Sequence, residues 1–505
     1  MELNDIFYKW VPVYLRLPIL FIWFFTVLTA NGVFVGNMTY MYSSLGVYAE
    51  PYTQAYNAVY IGMGLGLMLH IRLKMRLSNK QLLLRGFVTM LAMNIICATT
   101  NNPTVTIAAC FVIGFTKIST LIEVYIIWLL VWSKKLDTRR MYPFVYFTAL
   151  AGLHVVTWIT SYYSATFNWR YSYIIIFILL LISILLAIIF AENHPLKRKV
   201  PLYQVDFPGL ITLSAATLLL NYAVINGKVE DWFNSKSIIA ALIGSLLALL
   251  LFIRRELTAR HPLFDLKLFL RGNFRQGLLF FLLMGIFIPG TFQSAFSGGI
   301  LHYEVIRNME LNLYLIPGIV AGCIFSYFWY LKEFDGKILI FLGFLSFVVY
   351  HIIMYNYFNT SFSLQDFWLP SLVKGFATAL VYISVGLHLT RGLPLAKVLG
   401  AAGAMILVRS FFGSAIFSGL YTYVLYATSI RRFNYLAEIS DSNNFLIKGL
   451  GGASDIYRHL KEQATLTASK ELSGYIILAG LMLLFFMLIF YLYGKLRARI
   501  EAIES

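Results

Sequence analysis

No charged side chain occurs in YSYIIIFILLLISILLAIIFA (171–191). At 1.5 Å per residue, a helix of this length spans about 30 Å, the thickness of a bilayer's hydrocarbon core. In hydrocarbon every backbone polar group needs an internal partner, so only helices and closed β-barrels cross it. A barrel strand would alternate apolar and polar residues. This stretch is continuously apolar and predicts a transmembrane helix.

Apolar runs recur on both sides of it, at 18–45, 53–70, 82–99, 104–132, 142–164, 207–226, 237–253, 276–301, 312–331, 337–357, 367–389, 397–426 and 472–494. With 171–191 they make fourteen expected spans. The composition agrees: of 505 residues, 59% are hydrophobic and 12% charged, about half the charged share of soluble proteins. Mean hydropathy is +0.75. The runs at 104–132 and 397–426 exceed the ~20 residues a span needs, which implies tilt or extension past the bilayer. The first run is too long for a signal-peptide core and predicts an uncleaved first span. The chain is thus expected to be an all-α membrane protein.

The net charge of +17 would suggest nucleic acid if it lay on a soluble face. Instead the basic residues gather between spans on one side, as at Lys74, Arg76, Lys80 and Arg85, at Lys197, Arg198 and Lys199, at Arg254, Arg255 and Arg260, and at Lys495, Arg497 and Arg499. The positive-inside bias places that side, and both termini, in the cytoplasm. It accounts for the charge without a nucleic-acid partner. Cys97, Cys110 and Cys323 all fall inside apolar runs, which argues against a disulfide framework. One long segment, 427–471, falls on the outer side. It contains Gly449-Leu450-Gly451-Gly452 and a candidate amphipathic helix at 453–467. It is expected to be a solvated loop, with docking of a periplasmic adaptor as the functional alternative.

Two segments look like copies of each other. MRLSNKQLLLRGF (75–87) matches KEFDGKILIFLGF (332–344), aligning Lys80 with Lys337 and Gly86 with Gly343, while VIGF (112–115) matches VKGF (373–376), aligning Gly114 with Gly375. The matches are in register if the first six and last six spans are parallel repeats with two spans inserted between them. The expected divisions are 1–200 (N-terminal half), 201–256 (two linker spans) and 257–505 (C-terminal half, carrying the outer segment).

A charge at mid-membrane is costly, at least ~2.5 kcal/mol on insertion scales, and is usually turned toward protein or a cavity. That singles out Lys117 and Glu123 on the fourth span, Lys374 on the twelfth and Arg409 on the thirteenth. Lys117 and Glu123 are six residues apart, a poor spacing for pairing within one helix. Three cations against one acid predict a cavity that favours an anionic or zwitterionic amphiphile. The structural alternative is that Arg409 bonds backbone and Lys374 reaches outer water. No two of the eight histidines are close enough for a helical metal site, and no cofactor or metal is expected. His154 is within a span and is a candidate titrating group. Glycines and serines at Gly62, Gly64, Gly66, Gly400, Gly403, Ser410, Gly413 and Ser414 suit close helix contact. Pro289-Gly290 and Pro317-Gly318 suggest kinks.

At NWRYSY (168–173), VDFPG (205–209), RRELTARHPLFDLKLFLRGNFRQG (254–277), LPSLVKGFATAL (369–380) and LTRGLPLAKVLGAAGAMILVRSFFGSAIFSG (389–419) the sequence resembles the major facilitator superfamily. The resemblance is to its fourteen-helix drug:proton antiporter branch of EmrB/QacA type, and ARHPLFDLKLF is its most specific part. It implies two six-helix halves plus two inserted helices, multi-pass in a bacterial inner membrane. The implied function is export of amphiphilic small molecules by alternating access, coupled to protons. The sequence also departs from the family pattern. The Gly and Asp of the family's second loop are matched by Ile71 and Met75, the first-helix Asp by Asn31 and the fourth-helix Arg by Cys110, and no Gly-Pro motif stands in FTALAGLHVVTWI (147–159). Lys117, two turns beyond Cys110, is placed to supply the missing positive charge. Asn31 cannot titrate, so Glu123 becomes the first candidate proton carrier and His154 the second. Two other functions compete: a transport-inactive receptor or scaffold on the same fold, and a membrane-embedded lipid-modifying enzyme. Against the enzyme stands the lack of a His cluster, a paired-carboxylate motif or a nucleotide loop.

Overall fold

A computed structural model describes residues 6–132, 138–193, 206–359, 362–439 and 452–504. Among the described residues all regular structure is helical, apart from one isolated bridge between Phe7 and Ala191. Eleven described helices are long and apolar enough to cross a membrane. The chain builds an all-α membrane fold.

The first expected span is two helices, α1 (Val13–Thr29) and α2 (Val35–Leu45). The break falls at Asn31-Gly32, where Gly32 has φ +79°, a left-handed conformation that favours glycine. Then follow α3 (Glu50–Lys74), α4 (Asn79–Thr99), α5 (Pro103–Trp132), α6 (Thr138–Thr166), α7 (Ser172–Phe190), α8 (Phe207–Asn226) and α9 (Lys236–Thr258). The expected 276–301 span is also divided, into α10 (Gly272–Met284) and α11 (Thr291–Gly299). Pro289 between them lacks an N–H and disfavours helix at the residue before it.

The other expected kink, at Pro317-Gly318, is a helix start instead. After α12 (Val305–Leu313), Pro317 occupies the first turn of α13 (Leu315–Leu331), where its missing N–H leaves no bond unmade. Next come α14 (Gly336–Tyr357), α15 (Trp368–Thr390) and α16 (Leu395–Ile406). A π-helical segment (Leu407–Ile416) then leads into α17 (Phe417–Ile439). The final helix, α18 (Ala453–Glu504), absorbs both the expected amphipathic helix and the last span, because no Pro or Gly interrupts 453–473. Gly449, Leu450 and Gly451 of the outer segment lie outside the described residues.

The helices group into two compact units, Met1–Gly285 with Val385–Gly419, and Ile286–Ser384 with Leu420–Ser505. In the first, Gly62 and Gly66 of α3 press on the backbones of Phe111 and Phe115 of α5, and a Cβ on Gly114 would collide with the Val59 carbonyl. Gly86 of α4 meets Thr120. In the second, Gly318 and Gly322 of α13 press on the backbones of Leu372 and Phe376 of α15, a Cβ on Gly375 would collide with the Leu315 carbonyl, and Gly343 of α14 meets Val381. Each contact in one unit has its counterpart in the other at a constant shift along each helix. The α3–α5 and α13–α15 crossings are therefore copies of one design, in which missing side chains let backbones touch.

Amide side chains tie α8 to α3. Asn57 Nδ2 donates to Asn221 Oδ1 (2.9 Å), Asn221 Nδ2 to Gln54 O (3.0 Å) and Gln54 Nε2 to Asn226 Oδ1 (3.1 Å). Burial is otherwise inverted relative to a soluble protein. Only 17% of the most apolar stretch of α9 is buried, and Leu246, Leu247, Leu250 and Leu251 face outward. A face that apolar is stable in lipid, not in water.

Candidate functional site: charges buried in the spans

The division of the first span leaves the last carbonyls of α1 without partners inside their own helix. Other helices supply them. Lys117 of α5 donates from Nζ to Leu28 O (2.7 Å) and to the side-chain oxygen of Asn31. The Cys110 thiol donates to Asn31 O (3.7 Å), and the Tyr173 hydroxyl donates to Gly32 O. Asn37 accepts from the Phe34 N–H (3.1 Å) and donates to Ser172 Oγ (3.0 Å), which fixes the start of α2. An ammonium at a helix C-terminus also meets the negative end of the helix dipole. Lys117 is only 3% exposed. It and Asn31, expected separately as site residues, are one grouping.

Glu123 pairs across helices, not with Lys117. It is wholly buried on α5, and Oε2 is held by Lys74 of α3, whose Nζ also donates to Asn79 Oδ1 (2.9 Å). Its other oxygen is 3.3 Å from Nε2 of the fully buried His70. His70 and Lys74 are four residues apart on one face of α3. In the sequence His70 is the last residue of the expected 53–70 span and Lys74 lies beyond it. Their i, i+4 spacing was the signal that could have marked them. The positions matching His70, Lys74 and Glu123 in the second unit are Ser326, Tyr330 and Ser384, so the charged cluster belongs to one repeat only.

Arg409 is carried on the π-helical segment, a rare geometry that recurs at functional sites. Its Nη1 donates to the Tyr146 hydroxyl (3.1 Å), and its guanidinium carbon is 5.8 Å from the Tyr146 ring centroid and 5.7 Å from that of Phe281. Tyr142 packs on Tyr146 with ring centroids 5.6 Å apart. His154 is half-buried on α6. Lys374 of α15 belongs to the second unit, 8% exposed, with its ammonium 5.1 Å from the ring centroid of Tyr350. Among the described residues no acid pairs with Lys374, and no three His, Cys, Asp or Glu side chains gather to hold a metal.

The loop after α9 is organised by its own acids. The Glu256 carboxylate accepts the N–H groups of Leu263 (3.1 Å) and Phe264 (2.9 Å). Arg72, at the end of α3, donates to His261 O (3.2 Å) and Pro262 O (2.5 Å). Asp265 accepts from the Lys267 N–H and pairs with Lys397 (2.7 Å). The Lys397 hydrogen bond holds the Asp265 carboxyl below the usual carboxylate range. ARHPLFDLKLF thus does structural work, clamping a loop to α3 and α16.

Solved transporters share this fold. PepTSo2 superposes with a TM-score of 0.59 at 13% identity, covering 95% of this chain and 98% of that one. The nucleoside transporter NupG superposes with 0.55 at 13% identity, covering 92% and 99%. Identities this low speak to the fold alone. The superpositions show that the chain has the same fold as these solved transporters. In sequence, part of the chain is similar to the EmrB and EmrY multidrug export proteins. It is 28% identical to EmrB of Haemophilus influenzae over 44% of each chain, and 25% identical to the probable multidrug resistance protein EmrY of Escherichia coli over 42% and 41%. The aligned region thus spans under half the length of these relatives. No family model matches the chain.

Proposed function

We propose that the chain is a secondary active exporter of amphiphilic small molecules, working by alternating access and driven by a proton gradient. The observation that carries this reading is the fully buried Glu123, set between Lys74 and His70 inside the spans of a transporter fold. A proton reaching Glu123 neutralises its carboxylate and removes the charge that holds Lys74. The α3–α5 pairing then weakens, and it reforms when the proton leaves. His70 is placed to pass that proton. Ionisable groups within spans typically mark such pathways.

The same reading takes fourteen spans, counting Glu50–Lys74 and the two divided stretches with the eleven long apolar helices. They form a six-helix half (1–200), two linker spans (201–256) and a second half (257–505), in a bacterial inner membrane with both termini cytoplasmic. Beyond the spans, α17 and α18 continue as a helical pair joined by Arg431 and Arg432 to Glu471 (2.9 and 2.8 Å). It supplies the surface for a periplasmic adaptor. Tags at Ser505 and near Leu77 should report cytoplasm, and one near Asn443 the outer side. An outer Ser505 rules out this topology.

The deciding measurement is flux of an amphiphilic dye into vesicles holding the purified protein, with and without a pH gradient. Gradient-dependent accumulation is expected. Binding without vectorial movement would favour a receptor or scaffold. The residues that favour that second reading are Asn31, Ile71, Met75 and Cys110, which replace the family's own coupling groups.

A further inference from the structure

The second unit holds a nearly buried cation with no acid paired to it among the described residues. Lys374 is 8% exposed, and among the described residues no side chain or carbonyl accepts from its ammonium. Its neighbour is the face of Tyr350, which is 2% exposed and whose hydroxyl also lacks a hydrogen-bond partner among the described residues. A nearly buried ammonium and a buried phenol whose hydroxyl has no hydrogen-bond partner among the described residues therefore lie side by side on α15 and α14. A cation–π contact offsets only part of that desolvation. Buried polar groups nearly always have partners, and the Tyr350 hydroxyl beside an unpaired cation asks for one.

We propose that Lys374 and Tyr350 form a binding site for the carboxylate of an amphiphilic organic anion. One carboxylate accepts from the Lys374 ammonium and the Tyr350 hydroxyl together, which satisfies both. It also supplies the counter-charge that the site lacks. A buried aromatic cluster adjoins the pair and offers apolar contacts to such a body where the site opens: the Phe287 ring lies 6.0 Å from that of His351, whose ring centroid is 4.8 Å from that of Tyr350, and stacks on Phe347 at 5.6 Å. The equivalent of Lys374 on α5 is Ile113, so the second repeat alone carries this site. The assignment names a substrate class for the exporter and rests on that reading.

The test is binding of a matched pair, 1-naphthaleneacetate and 1-naphthylethylammonium, to the full chain in nanodiscs of zwitterionic lipid without a pH gradient. Wild type should prefer the acid by about tenfold, near 1.4 kcal/mol. Lys374→Gln should abolish the preference, Lys374→Arg should keep most of it, and Tyr350→Phe should weaken the acid alone. Thermal unfolding of each variant verifies folding, and Lys374→Arg retains the charge if Lys374→Gln fails to fold. Equal wild-type affinity for the two probes overturns the proposal, as does a preference that survives Lys374→Gln. Adding phosphatidylglycerol should leave acid binding unchanged. Competition by that lipid in wild type but not in Lys374→Gln would assign the site to a lipid head group and also overturn it. Loss of charge preference with intact gradient-driven dye flux defeats this site alone. Intact preference without flux defeats the exporter reading alone.

Discussion

Lys74 of α3 closes on Glu123 of α5, so the acid within the fourth span is neutralised by its neighbour helix and not by Lys117 on its own. Breaking a buried ion pair from one side strands a charge, at about 3–5 kcal/mol. Lys74→Met and Glu123→Gln should each destabilise the protein by a few kcal/mol, whereas the double variant should recover most of the loss. Thermal unfolding in detergent measures this. Additive losses would mean that the two residues are independent. In the flux assay, Glu123→Gln should abolish gradient-driven movement and leave binding in place. Full pH-gradient dependence in that variant would remove Glu123 from the coupling step.

Lys117 and Asn31 act as one unit at the end of α1. Lys117→Met leaves the Leu28 carbonyl and the Asn31 side chain without their donor, about 1–3 kcal/mol for buried groups. Asn31→Ala removes part of the same network, so the double variant should lose less than the two single losses combined. A double-mutant cycle by thermal unfolding gives the coupling. A coupling energy of zero would place the Lys117 ammonium elsewhere.

The repeated helix crossings predict paired sensitivities. Gly114→Ala and Gly375→Ala each drive a methyl into a backbone carbonyl, and each should destabilise by about 1–3 kcal/mol. Gly272→Ala, where the added methyl meets nothing within 4 Å, should be close to neutral. Folded yield and unfolding temperature give the comparison. A tolerated alanine at Gly375 would break the equivalence of the two crossings.

The loop clamp carries a pH signature. The carboxyl of Asp265 titrates lower in the folded protein than in the unfolded chain, where a value near 3.9 is usual. Its stabilising contribution is therefore complete above about pH 5 and is lost as pH falls through the lower, folded value. The unfolding-temperature gap between wild type and Asp265→Asn should be constant at neutral pH and narrow below about pH 4. A gap that widens on acidification would contradict the Lys397–Asp265 pairing.

The family-like stretches were legible in the sequence, but their roles were not. NWRYSY supplies Ser172 and Tyr173 to the divided first span, and ARHPLFDLKLF ties a loop to Arg72 and Lys397. Both build the scaffold. His70 and Lys74, which complete the charged cluster, lie outside every family-like stretch.

The sequence by itself determined the helical membrane class and most of the spans, because an apolar run of sufficient length is a local property that water and lipid sort without reference to other segments. It also marked Gly114 and Gly375 as equivalent, since a repeat leaves its trace in the residues. Only the tertiary structure decided that Glu123 meets Lys74 and His70, that Lys117 meets Asn31, and that the first span divides at Gly32. Those outcomes depend on which donors neighbouring helices bring to a buried acid or an orphaned carbonyl. Lys117 reaches Asn31 across 86 positions of sequence, and Glu123 reaches Lys74 across 49. No local pattern encodes a partner at that distance. In a medium without water, the position of each buried charge is set by the partner it finds.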